Sequence, residues 1–254
     1  VLNSGQYELE SDFKYVWSEN NKYGKEMIFA LLHETGNNAA EIACHFGPSD
    51  HPEVPGRWQY YGVSLPFWRS YDKEDPRREF FYYDYTGDAK RDDQSDYGFH
   101  YMVPEEGVTV VPNDTTKYMQ NVATMKYTYD MISDAYYDGR TICIFRLSDV
   151  ILCKAEIENN LNGPAAALPY LNQIRARAGA PEYGKHNRFP APSTKETMND
   201  AILKERGYEL VFEFQRRADL IRFGKYEEVV NAHLKKLGIA QPTNVTSSLR
   251  YFPY

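Results

Sequence analysis

SDVILCKAEIENNLNGPAAALPYLNQIRARAGAP, residues 148–181, is the stretch that decides the fold. Apolar Leu147, Val150, Ile151, Ala155 and Leu161 fall on or near one face at helical spacing, as an amphipathic helix requires. Ser148 has the chemistry of an N-cap, and Asp149 in the first turn suits the helix dipole. Asn162-Gly163 ends this helix and Pro164 opens the next. Leu168, Leu171, Ile174 and Ala178 then recur at three- and four-residue steps, until Gly179 caps the helix and Pro181 breaks it. Two antiparallel helices joined by a tight turn are the result. Pro169 lacks a backbone N–H, so the regular helix is expected to begin near it or to kink there.

Further along, a Pro- and Gly-rich linker spans 179–192. Ser193 and Glu196 have the spacing of a capping box ahead of a helix from Lys195 to about Phe214, with further helical pattern over 216–223 and 226–237. No period repeats through the whole chain, which limits it to one or two units of a helical array. Upstream the texture changes near residue 140. EMIFALLH (26–33) reads as a strand, TGNNAA (35–40) as a turn and GPSDHPEVPG (47–56) as a long loop. EFFYYDY (79–85) and YGFHYMV (97–103) also read as strands. The expectation is a loop- and strand-rich region over 1–140 and a helical region over 141–254, in one continuous domain.

The 254 residues suffice for a sizeable core. Acids outnumber bases 36 to 29, so the net charge of −7 has the wrong sign for gathering phosphates, and nucleic acid is set aside as a partner. Mean hydropathy is −0.64, and no window approaches the run of about 18 apolar residues that a membrane-spanning helix needs. Cys44, Cys143 and Cys153 form no CxxC pair, which argues against both a disulfide framework and a thiolate metal site. Tyr supplies 22 of the aromatic residues, and aromatics reach 15%. Such an excess of amphipathic rings suits a surface that handles polar ligands by stacking.

RLSDVILCKAE (146–156), LNQIRARAGAP (171–181) and ERGYELVFEFQRRADLIRFGK (205–225), in that order, resemble the C-terminal half of the SusD/RagB family. The resemblance extends through LNSGQYEL (2–9), EMIFALLHE (26–34), DPRRE (75–79) and RYFPY (250–254). It implies a mainly α fold: a portion of a tetratricopeptide-like α-α superhelix, carrying a loop-rich region with short β-strands. It further implies a surface-exposed outer-membrane lipoprotein of a Gram-negative bacterium, non-catalytic, that captures glycan or peptide and passes it to a TonB-dependent transporter. The lipid anchor and the family's N-terminal half would lie outside this sequence. Phe214-Gln215 departs from the pattern, because many members have a glycine near this point.

Chemistry-bearing clusters are few. Glu205, Glu209 and Glu213 align on one helix face, as a dinuclear metal site would require. No His stands three residues on, and Arg206, Arg216, Arg217 and Arg222 interleave, so a structural ion-pair network with Arg175 and Arg177 is expected instead. Asp219 reads likewise as an anchor to a neighbouring Arg. No nucleophile elbow is present, and the six His show no metal-ligand spacing, so no catalytic residue, metal or cofactor is indicated. The candidate ligand site is the aromatic segment 45–71. Sugar rings offer apolar faces rimmed with hydroxyls, so a glycan site needs flat rings beside planar hydrogen-bonding groups. Trp58 and Trp68 lead the candidates, followed by Tyr60, Tyr61 and Tyr71, with Arg57 and Asn38 as polar partners. The alternatives are rings that pack beneath the loop as a small core, and a helical scaffold that binds peptide or protein without sugar specificity.

Overall fold

The computed structural model describes residues 1–36, 40–48, 51–54, 58–87, 99–107, 116–130 and 138–236. The chain divides into two compact units, residues 6–146 and residues 147 onward together with 1–5.

The first unit holds, in chain order, β1 (Met27–Leu31), α1 (Ile42–Phe46), β2 (Val63–Ser64), α2 (Leu65–Arg69), β3 (Phe81–Tyr82), β4 (Asp84–Thr86), β5 (His100–Met102), β6 (Thr116–Tyr118), β7 (Asn121–Thr124) and β8 (Ile142–Arg146). The strand expected over 26–33 is β1, and its antiparallel partner is the distant β8. Two three-stranded sheets follow the orders β2-β7-β3 and β4-β5-β6. The EFFYYDY stretch splits into β3 and β4, and β4 pairs with β5 from the YGFHYMV stretch. Parts of the turn at 35–40 and the loop at 47–56 lie outside the described residues.

Strands this short cannot hold a fold by hydrogen bonding alone. Buried charges join them. Arg146 donates to Glu26 at 2.6 Å, both side chains being almost wholly buried, and Glu26 also accepts from the Glu10 backbone N–H at 3.0 Å. Arg77 and Asp75 form a second buried pair at 2.7 Å, with Asp75 also capping the turn Pro76–Glu79. Buried Trp17 packs edge-on to Tyr127, with the Lys126 ammonium 4.5 Å from its ring centroid.

The second unit holds α3 (Leu147–Asn162), α4 (Pro164–Arg177), α5 (Lys195–Glu209), α6 (Arg216–Arg222) and α7 (Tyr226–Lys236). Gly163, at φ +90°, makes the turn between α3 and α4, as the Asn-Gly-Pro string predicts. Arg177 at the end of α4 donates to Ser148 at the start of α3, so the two helices are antiparallel. Ile151, Leu152, Ala155, Leu171, Ile174, Met198 and Ile202 form the core between α3, α4 and α5.

Four local expectations are corrected. α3 starts at Leu147, directly after β8, so Ser148 lies inside the helix and its hydroxyl serves Arg177 instead of capping. α4 runs from Pro164, five residues ahead of Pro169, so of the two expectations for that proline the helix start is the one not met, and packing against α3 and α5 outweighs the lost backbone bond. The capping box is built by Thr194 and Thr197, one residue later than the Ser193–Glu196 pair. α5 ends at Glu209, because the chain passes through left-handed backbone at Phe212 (φ +62°) and Phe214 (φ +64°) before α6 begins.

The expected ion-pair network is present. Arg175 pairs with Glu205 at 2.7 Å, and Arg177 pairs with Glu209. Arg206 joins α3 to α6, reaching Asp149 at 2.7 Å and Asp219 at 2.8 Å. Burial works against its charge, but the hydrogen bond to Asp219 and the two carboxylates outweigh burial and push its pKa up. Glu205 and Glu209, two of the three carboxylates that mimic a metal site, are thus partners of guanidinium groups, and Glu213 falls beyond the end of α5.

Two outcomes follow from this packing. Arg175→Met leaves the buried Glu205 charge without its partner and should lower unfolding free energy by about 3 kcal/mol in urea titrations. Adding Glu205→Leu should recover part of that loss. At the left-handed position, Phe214→Gly should be more stable than Phe214→Ala by about 1 kcal/mol, since only the alanine keeps a Cβ there.

Candidate ligand-binding site

α1 positions the candidate platform. This short helix has no side-chain cap of its own at Glu41; Asp138 supplies one, accepting from the Ala43 N–H at 3.1 Å. Asp138 also accepts from the Arg140 N–H at 3.0 Å, while the Arg140 guanidinium donates to the carbonyls of Trp17 and Tyr129, each at 2.6 Å. Burial lowers the Arg140 pKa against the raising effect of Glu19, Asp130 and Asp138. The helix is therefore clamped to the core by groups far away in sequence.

The segment from Trp58 folds back onto α1. Its backbone N–H groups at Trp58 and Tyr61 donate to the carbonyls of Cys44 and His45, at 2.7 and 3.1 Å. Gln59 takes left-handed backbone (φ +49°), and its amide donates to Asn121 at 3.2 Å. Gly62 lets Asn121 approach so closely that a Cβ there would stand 2.3 Å from the carboxamide oxygen. Held in this way, Trp58, Tyr60 and Tyr61 surround the His45 ring with centroids 5.2, 5.5 and 6.3 Å away. Trp58 and Tyr60 also meet each other at 5.4 Å. Tyr61 rests on Phe46, which in turn rests on Tyr127 of the core. The His45 contact with the Glu41 carbonyl at 2.9 Å requires a proton on Nδ1, since a carbonyl only accepts.

These rings are open to solvent: Trp58 is 37% exposed, Tyr60 66% and Tyr61 54%. Trp68 and Tyr71 do not join them. They are 5% and 3% exposed, and they stand three residues apart on the face that α2 and its following turn press into the core. Trp68 donates through Nε1 to the Arg78 carbonyl at 3.2 Å and is covered by the Arg78 guanidinium and the Tyr83 ring. Tyr71 meets Phe67 and Phe81 edge-on. The expectation of both as stacking platforms is therefore replaced by a core role. The i, i+3 spacing after Pro66 was the signal of a short helix with one buried face. Arg57 and Asn38 lie outside the described residues.

Sequence reading missed two features. One is His45, the hub of the exposed rings. The other is a cleft of about 530 Å³ that Trp68 borders from below, with Arg69, Lys73, Arg78, Glu105 and Glu106 around it.

The SusD family profile matches residues 25–251, and the chain belongs to that family. A SusD-like protein of Formosa agariphila is 27% identical over 218 residues, 82% of this chain and 41% of that protein. Another from the same organism is 44% identical over 87 residues, 34% of this chain and 16% of that protein. Among solved structures, a SusD homolog from Bacteroides thetaiotaomicron superposes with a TM-score of 0.69 at 25% identity, covering 98% of this chain and 51% of that one. Surface glycan-binding protein A of the same species, solved with laminarihexaose, gives 0.67 at 20% identity, over 99% and 53%. The chain spans less than half the length of these curated relatives and about half that of the solved structures.

Asp138→Ala should remove the cap of α1 and expose a buried donor. Stability should fall by about 2 kcal/mol, and Trp58 fluorescence should move toward that of a fully exposed indole before global unfolding.

Proposed function

We propose that this protein is a non-catalytic glycan-binding protein of the outer membrane of a Gram-negative bacterium, which captures oligosaccharide or polysaccharide and passes it to a TonB-dependent transporter. The observation that carries this reading is the exposed trio Trp58, Tyr60 and Tyr61 around His45. Their rings supply apolar faces for sugar C–H groups, and the Tyr hydroxyls and the second His45 nitrogen supply hydrogen bonds at the rim. Because α1 and Asp138 fix the segment beforehand, little side-chain entropy is lost when a glycan binds. Family membership supports the glycan class, the surface location and the transporter partner, and the fold shared with a protein solved with laminarihexaose agrees with them. The antiparallel pair α3 and α4 is read in the same way as one hairpin of a tetratricopeptide-like superhelix. Together with its neighbours it acts as the scaffold of the protein.

Calorimetry against a panel of soluble polysaccharides and peptides tests the reading. Trp58→Ala should weaken glycan binding about thirtyfold, near 2 kcal/mol, with Tyr60→Ala in the same direction. Saturable peptide binding with no glycan binding would replace it by the scaffold reading.

A further inference from the structure

The cleft beside Trp68 is chemically unlike the ring platform. Its lining includes Arg69, Lys73 and Arg78 together with Asp84, Glu105 and Glu106, three bases and three acids. Some of these groups are already engaged. Arg69 donates to the Pro104 carbonyl and ties down the floor. Asp84 meets His100 at 2.6 Å, and nearby Glu79 accepts from the Tyr83 hydroxyl, a bond that raises the Tyr83 pKa. Others are not. Lys73, Glu105 and Glu106 are exposed and make no ion pair among the described residues. Arg78 lines the cleft with its guanidinium over the Trp68 ring and makes no ion pair among the described residues. Donors and acceptors therefore stand ready around one cavity without neutralising one another.

We propose that this cleft is a second carbohydrate subsite, one that holds an uncharged sugar unit by ionic hydrogen bonds instead of stacking. The proposal rests on the glycan-binding reading and adds the chemistry of a distinct position. A sugar hydroxyl is both donor and acceptor, so adjacent hydroxyls can give to Glu105 or Glu106 while receiving from Lys73 or Arg78. An anionic ligand meets two free carboxylates, and a cationic one meets two cations, so the balanced rim favours a neutral polyol. The Trp68 ring offers no stacking face, because Arg78 and Tyr83 already cover it. A volume near 530 Å³ lies within the range of small-ligand sites.

The chain's three Trp give three indole N–H resonances, and those of Trp58 and Trp68 report the two positions separately. Each is followed by nitrogen–proton NMR while laminari-, malto-, cello- and xylohexaose are added in turn. A sulfated hexasaccharide and a zwitterionic dipeptide serve as charged probes. At least one neutral hexasaccharide should shift both indoles. Lys73→Met and Glu105→Gln, both at exposed positions, should then weaken the Trp68 response about tenfold each and leave the Trp58 curve in place. A Trp58 shift with Trp68 unmoved overturns the subsite and spares the platform. So does a Trp68 response that survives both substitutions, or one given only by the sulfated sugar or the dipeptide. If no hexasaccharide moves either indole, the glycan-binding reading fails and the subsite with it.

Discussion

Arg206 lies buried between Asp149 on one helix and Asp219 on another, and this arrangement states the constraint under which the whole molecule is built. A guanidinium removed from water is tolerable only if carboxylates meet it with good geometry. Each such pair therefore dictates which elements pack and in what register. Arg175 with Glu205 and Arg177 with Glu209 fix α4 against α5, while Arg146 with Glu26 fastens the end of β8 beside the start of β1. Apolar burial drives each unit together, but hydrophobic contacts alone are non-directional. The buried charges select one arrangement among many of similar apolar area.

The same logic reaches the ligand surface. α1 has only five residues, too few to be stable alone, and Asp138 caps it from far away in the sequence. Arg140, two residues on, locks that cap to the carbonyls of Trp17 and Tyr129. The exposed rings are thus presented by irregular backbone anchored by hydrogen bonds to α1 and Asn121 and by the packing of Tyr61 on Phe46. This arrangement lets an exposed Trp and two exposed Tyr persist in place instead of collapsing into the core. It also separates two chemistries within one unit: flat rings around His45, and charges of both signs around the cleft at Trp68.

Much of this was legible beforehand and some was not. Gly163-Pro164 and Gly179 placed the α3–α4 hairpin, because the conformations they require are set by their own covalent geometry. The Glu205 and Glu209 pairs with Arg175 and Arg177 were legible too, since helical spacing puts them on one face. Ser148 and Ser193 misled, since any Ser before a helical pattern looks like a cap, whereas the actual helix starts are set by β8 and by Thr194. Trp58 and Trp68 look alike in sequence, both lying in a stretch broken by Pro and Gly. One is exposed and the other buried because α2 turns Trp68 against Arg78 and Tyr83, while the segment with left-handed Gln59 holds Trp58 against α1.

The sequence by itself therefore determined the helical hairpin, the charge network of the helical unit, the family and the segment in which exposed aromatics would be found. The hairpin and the helix faces that carry the charges depend on residues within a few turns of one another, and the family on strings long enough to be matched as they stand, although the pairs themselves, such as Arg175 with Glu205, close only when the helices pack. Tertiary structure alone decided which rings face solvent, that His45 is their hub, and that Lys73 and Arg78 share a cleft with Glu105 and Glu106. Those outcomes rest on contacts between residues tens of positions apart, whose cost and gain are settled only when the intervening strands have paired.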